Sequence, residues 1–387
     1  MKKNILIICY SFLHKDPRVL RQVEALKGNY NLFTIGLSSV DSNIPNLLLA
    51  YKKNSLFLKI VRLFLAIIRQ FQLYSTIVSW QYNLSNSVQS LHYDLILCND
   101  VDSLPLAIRI SNNKVPVWVD LHEYSPKEFE NSFLWRLYFQ SYKIWLCNKF
   151  LSKAQYISVV CNGIAAEYQS NFNIKTHAII TNAAFFDAKL NPIYPTDSIK
   201  IIHHGAAMPN RKIEVMIDMM DYMSDTYELH LMLLVTGEVQ RSYFNLLKSR
   251  ALETGKKIYF LETVPTSQIP AYLNKFDIGL YILEASGFNE LFALPNKFFE
   301  FIQARLCLAV SPNPEMASIV RQNNLGIVSE NYTPQSMATA ITNLSIDDIY
   351  RHKTQSNHVA WELSANKNME EMLSIAKTLI TNSPVVL

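Results

Sequence analysis

The sequence predicts an α/β fold built from two parallel-sheet domains, and three observations carry that prediction. Short apolar runs rich in β-branched residues alternate with helix-period segments along the chain, the pattern of buried strands covered by helices. At 387 residues the chain exceeds the usual size of one hydrophobic core. Residues 191–197, turn formers that include Pro192 and Pro195, divide the strands into two series and read as a linker.

The first series places strands at 4–9, 32–37, 94–98, 115–120, 156–161 and 178–181. A second follows at 200–204, 229–236, 257–261, 278–282, 307–311 and 326–328. The domains then run 1–190 and 198–360, and 361–387 forms a crossover helix and tail that packs back on the N-terminal domain. Ligands of doubly wound sheets bind beyond the carboxyl ends of the strands, so polar residues just after strands are the candidates for function.

Composition narrows the class. Apolar residues make up 49% of the chain and charged ones only 18%, which excludes disorder over most of its length. A net charge of +4 is too small to imply nucleic acid, yet it would not repel an anionic membrane. Cys9, Cys98, Cys147, Cys161 and Cys307 are widely spaced and read as reduced core residues of a cytosolic protein. Lys2-Lys3 precede an apolar segment too short for a signal peptide, which reads as the first strand. The most apolar region, 55–80, is interrupted by Lys59, Arg62 and Arg69, so no span of a bilayer is expected.

One segment stands out: Ala293-Leu294-Pro295-Asn296-Lys297-Phe298-Phe299-Glu300-Phe301, followed by an apolar run at 306–310. Pro295 suits the first turn of a helix whose free N–H groups would form an anion site aimed at a diphosphate. Lys297 adds a point charge, and Glu300, a turn further in, can accept hydrogen bonds from two ribose hydroxyls. An amphipathic helix with solvated charges reads the same residues equally well. Polar groups recur after other strands: Asp16-Pro17-Arg18-Val19 with Glu24-Ala25-Leu26, then Asp120-Leu121-His122-Glu123, Gly205 with Pro209-Asn210-Arg211, and Thr236-Gly237-Glu238.

This ordered set resembles the GT-B glycosyltransferases, and specifically the large retaining family four of bacterial polysaccharide and lipopolysaccharide glycosyltransferases. The resemblance runs nearly the whole length. It implies two Rossmann-like domains facing across a cleft, with a nucleotide-sugar donor mainly on the C-terminal one and the acceptor on the N-terminal one. Glu300 matches the glutamate that binds the donor ribose, and Arg211 the basic residue that neutralises the diphosphate, although a solvated loop residue beside Lys212 is the alternative. Lys297 is placed for a second basic contact. Fixed cations would stabilise the growing charge of the leaving group in place of a metal, so neither metal nor cofactor is expected beyond the donor as co-substrate. Pro295, Asn296 and Gly205 complete the donor side. Glu238 approaches the donor or caps its own helix, and Val264, in Glu262-Thr263-Val264-Pro265, lies where the family reads the base through backbone groups.

On the acceptor side the resemblance places His122, matching a histidine that lines the active site, which makes it a catalytic candidate together with Arg211 and Lys297. A structural histidine satisfied by Asp120 or Glu123 is the other reading. Asp16, Arg18, Asn99, Asp100 and Glu123 join it, and Asp16 can also cap the first helix. Asp100-Val101-Asp102 imitates a metal-binding DxD but runs into a helix start, where acids suit the dipole. His203-His204 are adjacent without a Cys/His cluster.

The chain departs from the family at Phe292, where many members carry a first, often sugar-contacting glutamate; Glu290 is out of register. The loop 10–15 lacks the family's glycines, which leaves the acceptor unidentified. Two aromatic and basic stretches, 55–69 and 133–153, either cover the N-terminal sheet or lie in a membrane interface. The expected function is a retaining, metal-independent, hexosyl-type glycosyltransferase. It would use a UDP- or GDP-linked donor and a glycan or lipid-linked acceptor in cell-surface polysaccharide synthesis. No nucleic acid partner is expected, and the place is the cytoplasm, at the inner membrane face with peripheral contact. The rivals are a GT-B nucleotide-sugar epimerase and a catalytically silent GT-B binding or scaffold protein.

Overall fold

Fourteen strand segments are defined in a computed structural model that describes residues 2–51, 55–79, 82–85 and 87–382. In chain order they are β1 (Asn4–Ile8), β2 (Asn31–Ile35), β3 (Leu48–Tyr51), β4 (Tyr82–Leu84), β5 (Leu95–Asn99), β6 (Val117–Leu121), β7 (Tyr156–Val159) and β8 (Ala178–Ile179). They continue with β9 (Ile199–Ala206), β10 (Tyr227–Leu234), β11 (Ile258–Leu261), β12 (Ile278–Tyr281), β13 (Cys307–Val310) and β14 (Gly326–Val328). One six-stranded sheet has the order β2-β1-β5-β6-β7-β8 and the other β11-β10-β9-β12-β13-β14. Every pairing within them is parallel. The α/β architecture expected from the sequence is therefore present. It does not extend to β3 and β4, a small antiparallel pair absent from the sequence reading.

All residues of β5 and β6 are buried, which is why such strands read as continuous apolar runs rather than alternating ones. Two compact units divide the chain. The first holds the residues up to Thr181, the short piece Gly287–Asn289 and the chain from Asn368 onward; the second holds Asn182–Ser286 and Glu290–Lys367. The stretch 191–197 packs on the second unit: Asn274 Nδ2 donates to the Asn191 carbonyl at 2.9 Å and the Tyr194 hydroxyl to Asp347 at 2.7 Å. The second unit accordingly begins before that stretch.

The C-terminal helix Ala365–Thr381 supplies Met372, Ile375 and Ala376 to the core around Ile5, Ile7, Leu95 and Leu97 of the first sheet. Asn368 Nδ2 pins it by donating to both the carbonyl and the hydroxyl of Thr181 at 3.0 Å. All five cysteines are buried and unpaired in disulfides, and burial pushes the thiols of Cys9 and Cys307 up to about 12. Among the described residues no helix is long and apolar enough to cross a membrane.

The two aromatic stretches prove to have two faces. Trp145 stacks on Tyr142 with ring centroids 5.8 Å apart, and both pack against Phe71; Tyr142 and Phe71 are buried and Trp145 is half-buried against them. Phe133, Leu134 and Leu137 instead face outward, as does one side of the helix Leu56–Ile67. Trp80, at the end of the apolar region 55–80, lies outside the described residues.

Candidate functional site

Two clusters form at strand ends, one in each unit. In the second unit β9 closes with His203, His204 and Gly205, and the turn Pro209–Arg211 follows. Gly205 has φ +140°, and a Cβ there would lie 2.6 Å from Lys297 Nζ, so only glycine leaves room for the lysine head. Lys297 is the second residue of the helix Asn296–Gln303. Pro295 takes the capping position just before that helix rather than its first turn, in an extended conformation, and its carbonyl accepts from Phe298 N at 3.1 Å. The leading N–H groups of such a helix have no intrahelical acceptor.

Tyr281, at the end of β12, gathers the cations. Lys297 Nζ sits 4.8 Å from the centre of its ring, and Arg211 Nη1 donates to its hydroxyl at 3.3 Å. Glu300, one turn into the helix, is buried with one carboxylate oxygen 3.2 Å from His204 Nε2. The helix can approach this closely because β12 carries Gly279, where a Cβ would fall 2.4 Å from the Phe301 ring.

The electrostatics follow from that crowding. Burial, then the Arg211 charge, pull the Lys297 ammonium down to about 7 against the opposing pull of Glu300. His203 is driven well below its usual range by burial and by Lys297, while it bonds through Nδ1 with the Leu280 carbonyl at 2.9 Å. Two cations thus crowd one tyrosine in a partly desolvated place, an arrangement that gains from a bound anion. The sequence reading weighed His204 only as a metal ligand and passed over Tyr281, although both lie near strand ends on the side where ligands of such sheets bind.

The remaining donor-side residues are spread more loosely. Asn296 is exposed at the helix start, Glu238 is exposed as the first residue of Glu238–Thr254, and Val264 is half-buried in the loop after β11. Glu238 makes neither a capping bond for Gly237 nor an ion pair. Glu290 does not replace the acid missing at Phe292, because its carboxylate is taken by the Ser286 amide at 2.9 Å and by the Ser286 hydroxyl.

In the first unit the organising group is Asp120, fully buried at the end of β6. It accepts from Arg18 Nε at 2.6 Å and Nη2 at 2.7 Å, from Gln22 Nε2 at 2.9 Å and from Ser158 Oγ at 2.6 Å. Burial alone would raise its carboxyl, but the Arg18 charge and the bonds from His122 and Arg18 hold it far below the usual carboxylate range. Arg18 also donates Nη1 to the Ile180 carbonyl at 2.8 Å. Its guanidinium is therefore buried in the framework, which corrects its expected place among acceptor contacts. Asp16 caps the helix Pro17–Leu26, accepting from Arg18 N at 3.1 Å and Val19 N at 3.2 Å, and takes a bond from Ser11 Oγ at 2.8 Å.

His122 lies over this framework. Its Nε2 is 3.0 Å from Asn99 Oδ1 and its Nδ1 3.4 Å from Asp100 Oδ2, while its amide donates to Asp100 Oδ1 at 3.0 Å. Burial lowers the imidazole, but Asp100 and Asp120 outweigh it and leave the group above its ordinary value. Both ring nitrogens thus have partners: Asp100 at Nδ1, and Asn99 with Asp120, 3.6 Å away, at Nε2, so of the two structural partners expected it is Asp120 and not Glu123 that meets the ring. Asn99 is fixed in turn by Gln22, at 2.8 and 3.0 Å. Gln22 was unnoticed in the sequence, though it stands four residues after Arg18 on the same helix face. Glu123 lies just beyond the strand, where desolvation of its carboxyl and the nearby charges of Glu128 and Asp100 raise it to about 7. Asp102 pairs with Lys143 at 2.5 Å, so the DxD carboxylates are committed to His122 and Lys143.

Residues 189–361 match the family of glycosyl transferases group 1. The fold is similar to that of HepE from Anabaena in complex with UDP, at 14% identity and a TM-score of 0.69, covering 98% of this chain and 100% of that one. It is likewise similar to sucrose-phosphate synthase from Thermosynechococcus elongatus, at 12% identity and a TM-score of 0.69, covering 99% and 100%. A glycosyltransferase from Rickettsia africae gives 15% identity and a TM-score of 0.68, covering 99% and 100%. No curated protein matches the sequence significantly. Residues 189–361 thus match a glycosyl transferases group 1 domain, and the chain as a whole has a fold similar to the GT-B structures named above.

The framework role of Arg18 has a direct consequence. Arg18→Met leaves Asp120 buried without its cation and should cost about 3–5 kcal/mol in urea unfolding, the scale for breaking a buried pair. Unchanged stability with a raised KM for acceptor would return Arg18 to substrate contact.

Proposed function

We propose that this chain moves a hexosyl group, without a metal and with retention of anomeric configuration, from a UDP- or GDP-linked donor to a glycan or lipid-linked acceptor. The setting is cell-surface polysaccharide synthesis at the cytoplasmic face of a membrane, with peripheral membrane contact. The observation that carries the reading is the pairing of Arg211 and Lys297 on Tyr281 at the start of a helix that presents Glu300 one turn later. In this reading the two cations and the helix N-terminus hold the diphosphate and stabilise its charge as the glycosidic bond breaks. Glu300, with His204 Nε2 3.2 Å from its carboxylate, accepts from the ribose hydroxyls. The complexes of HepE with UDP and with UDP-glucose support a nucleotide-sugar ligand on this fold.

The first unit takes the acceptor in this proposal. Asp16, Asn99, Asp100, His122 and Glu123 supply its polar groups, with His122 poised to exchange Asp100 or Asn99 for a sugar hydroxyl. Attack comes from the face that the leaving phosphate vacates, assisted by that phosphate, since no pair of carboxylates suited to double displacement is evident in the sequence.

Glu300→Ala should weaken nucleoside diphosphate binding by about 1.5–3 kcal/mol in calorimetry, the scale of a hydrogen bond to a charged group. Unchanged affinity would remove the ribose assignment. An NMR time course on donor and acceptor should show product with the donor's anomeric configuration; inversion would rule out the same-face route, and an epimer formed without acceptor would point to an epimerase.

A further inference from the structure

The first unit bears an apolar surface that nothing among the described residues covers. The helix Leu56–Ile67 exposes Phe57 (71%), Ile60 (58%), Phe64 (58%) and Ile67 (55%), while Leu65 and Ala66 pack inward. Their spacing of three and four residues puts the exposed groups on one face. The helical stretch that begins at Phe133 packs beside this helix and exposes Phe133 (66%) and Leu137 (54%), extending the patch. Large apolar side chains grouped this way on a water-facing surface mark a place of contact.

Charge identifies the partner. No Asp or Glu occurs between Asp41 and Asp94, nor between Glu130 and Glu167. Lys59, Arg69 and Arg136 on the patch-bearing segments are exposed. A second copy of this chain would set these acid-free segments against themselves, like charge on like. The headgroup zone of an anionic bilayer offers what the surface lacks, an apolar layer for the rings and phosphates for the cations.

We propose that this face docks in the interface of an anionic lipid bilayer, with Phe57, Ile60, Phe64 and Phe133 inserted among the acyl chains and Lys59, Arg69 and Arg136 against headgroup phosphates. The inference rests on the membrane contact proposed above and gives it a location; it does not depend on the donor site. The outward and inward aromatics are separable here, because Tyr142 is buried and Trp145 half-buried against it, while Phe57, Phe64 and Phe133 are exposed.

The test is co-sedimentation of the full chain with vesicles of phosphatidylcholine alone and of equal parts phosphatidylcholine and phosphatidylglycerol. Wild type should pellet with the mixed vesicles, and less so as salt rises. Phe57→Ser/Phe64→Ser/Phe133→Ser should lose about tenfold or more in partitioning, as expected for lost apolar insertion, with the melting temperature unlowered because these rings are exposed. Lys59→Gln/Arg69→Gln should bind more weakly and with less salt dependence. No vesicle binding by wild type would overturn the membrane contact itself. Binding that survives the triple substitution would overturn this surface as its seat. A dimer that the triple substitution dissolves, without vesicle binding, would assign the face to a second copy. Calorimetry of nucleoside diphosphate binding on the same variants keeps these outcomes separate from the donor site.

Discussion

The second unit is organised around a surplus of positive charge. Arg211 and Lys297 are drawn from different segments onto one tyrosine, and the Glu300 carboxylate opposes the depression of Lys297. Several otherwise unconnected residues follow from this arrangement. Gly205 exists without a side chain so that the lysine head can pass, Gly279 so that the helix Asn296–Gln303 can lie on β12, and Pro295 enters extended so that the helix begins beside Lys297. Burial and the Arg211 charge together depress the Lys297 ammonium. A bound diphosphate would oppose that depression.

The first unit solves a different problem by the opposite means. Its buried charge, Asp120, is compensated in full by Arg18, Gln22 and Ser158, so the cluster is rigid rather than hungry for a ligand. What it offers is the placement of His122 and Asn99 at a strand end. A buried carboxylate held by a bidentate guanidinium is a strong anchor only while both partners remain, which ties the orientation of the histidine to the stability of the unit.

Much of this was legible in the sequence for a physical reason. Parallel strands buried on both faces leave continuous apolar runs, and every such run became a strand. The pair β3 and β4 left no such trace, since each strand is short and they are joined across two helices. Glu300, Lys297 and Arg211 were found because their chemistry is tied to a local pattern: a proline before a helix, or a cation just past a strand. Arg18 was misread because a charged residue at a helix start looks exposed in sequence, whereas its partner Asp120 lies far along the chain. Tyr281 was missed, and His204 weighed only as a metal ligand, for the same reason, their meaning residing in contacts across strands. The aromatic helices could not be oriented from composition alone, because their inward and outward rings alternate within one stretch.

The central claim, that Lys297 and Arg211 form an anion site short of charge, is tested most directly through the proton on Lys297. At pH 8, above the value of about 7 that burial and Arg211 impose, the lysine is mostly neutral, and a bound diphosphate should raise it and draw in a proton. Calorimetry of nucleoside diphosphate binding in two buffers of different ionisation enthalpy should therefore show buffer-dependent heats. Affinity should fall as the pH rises above 7, and Lys297→Met should abolish the buffer dependence. Equal heats in both buffers with tight binding would contradict the account.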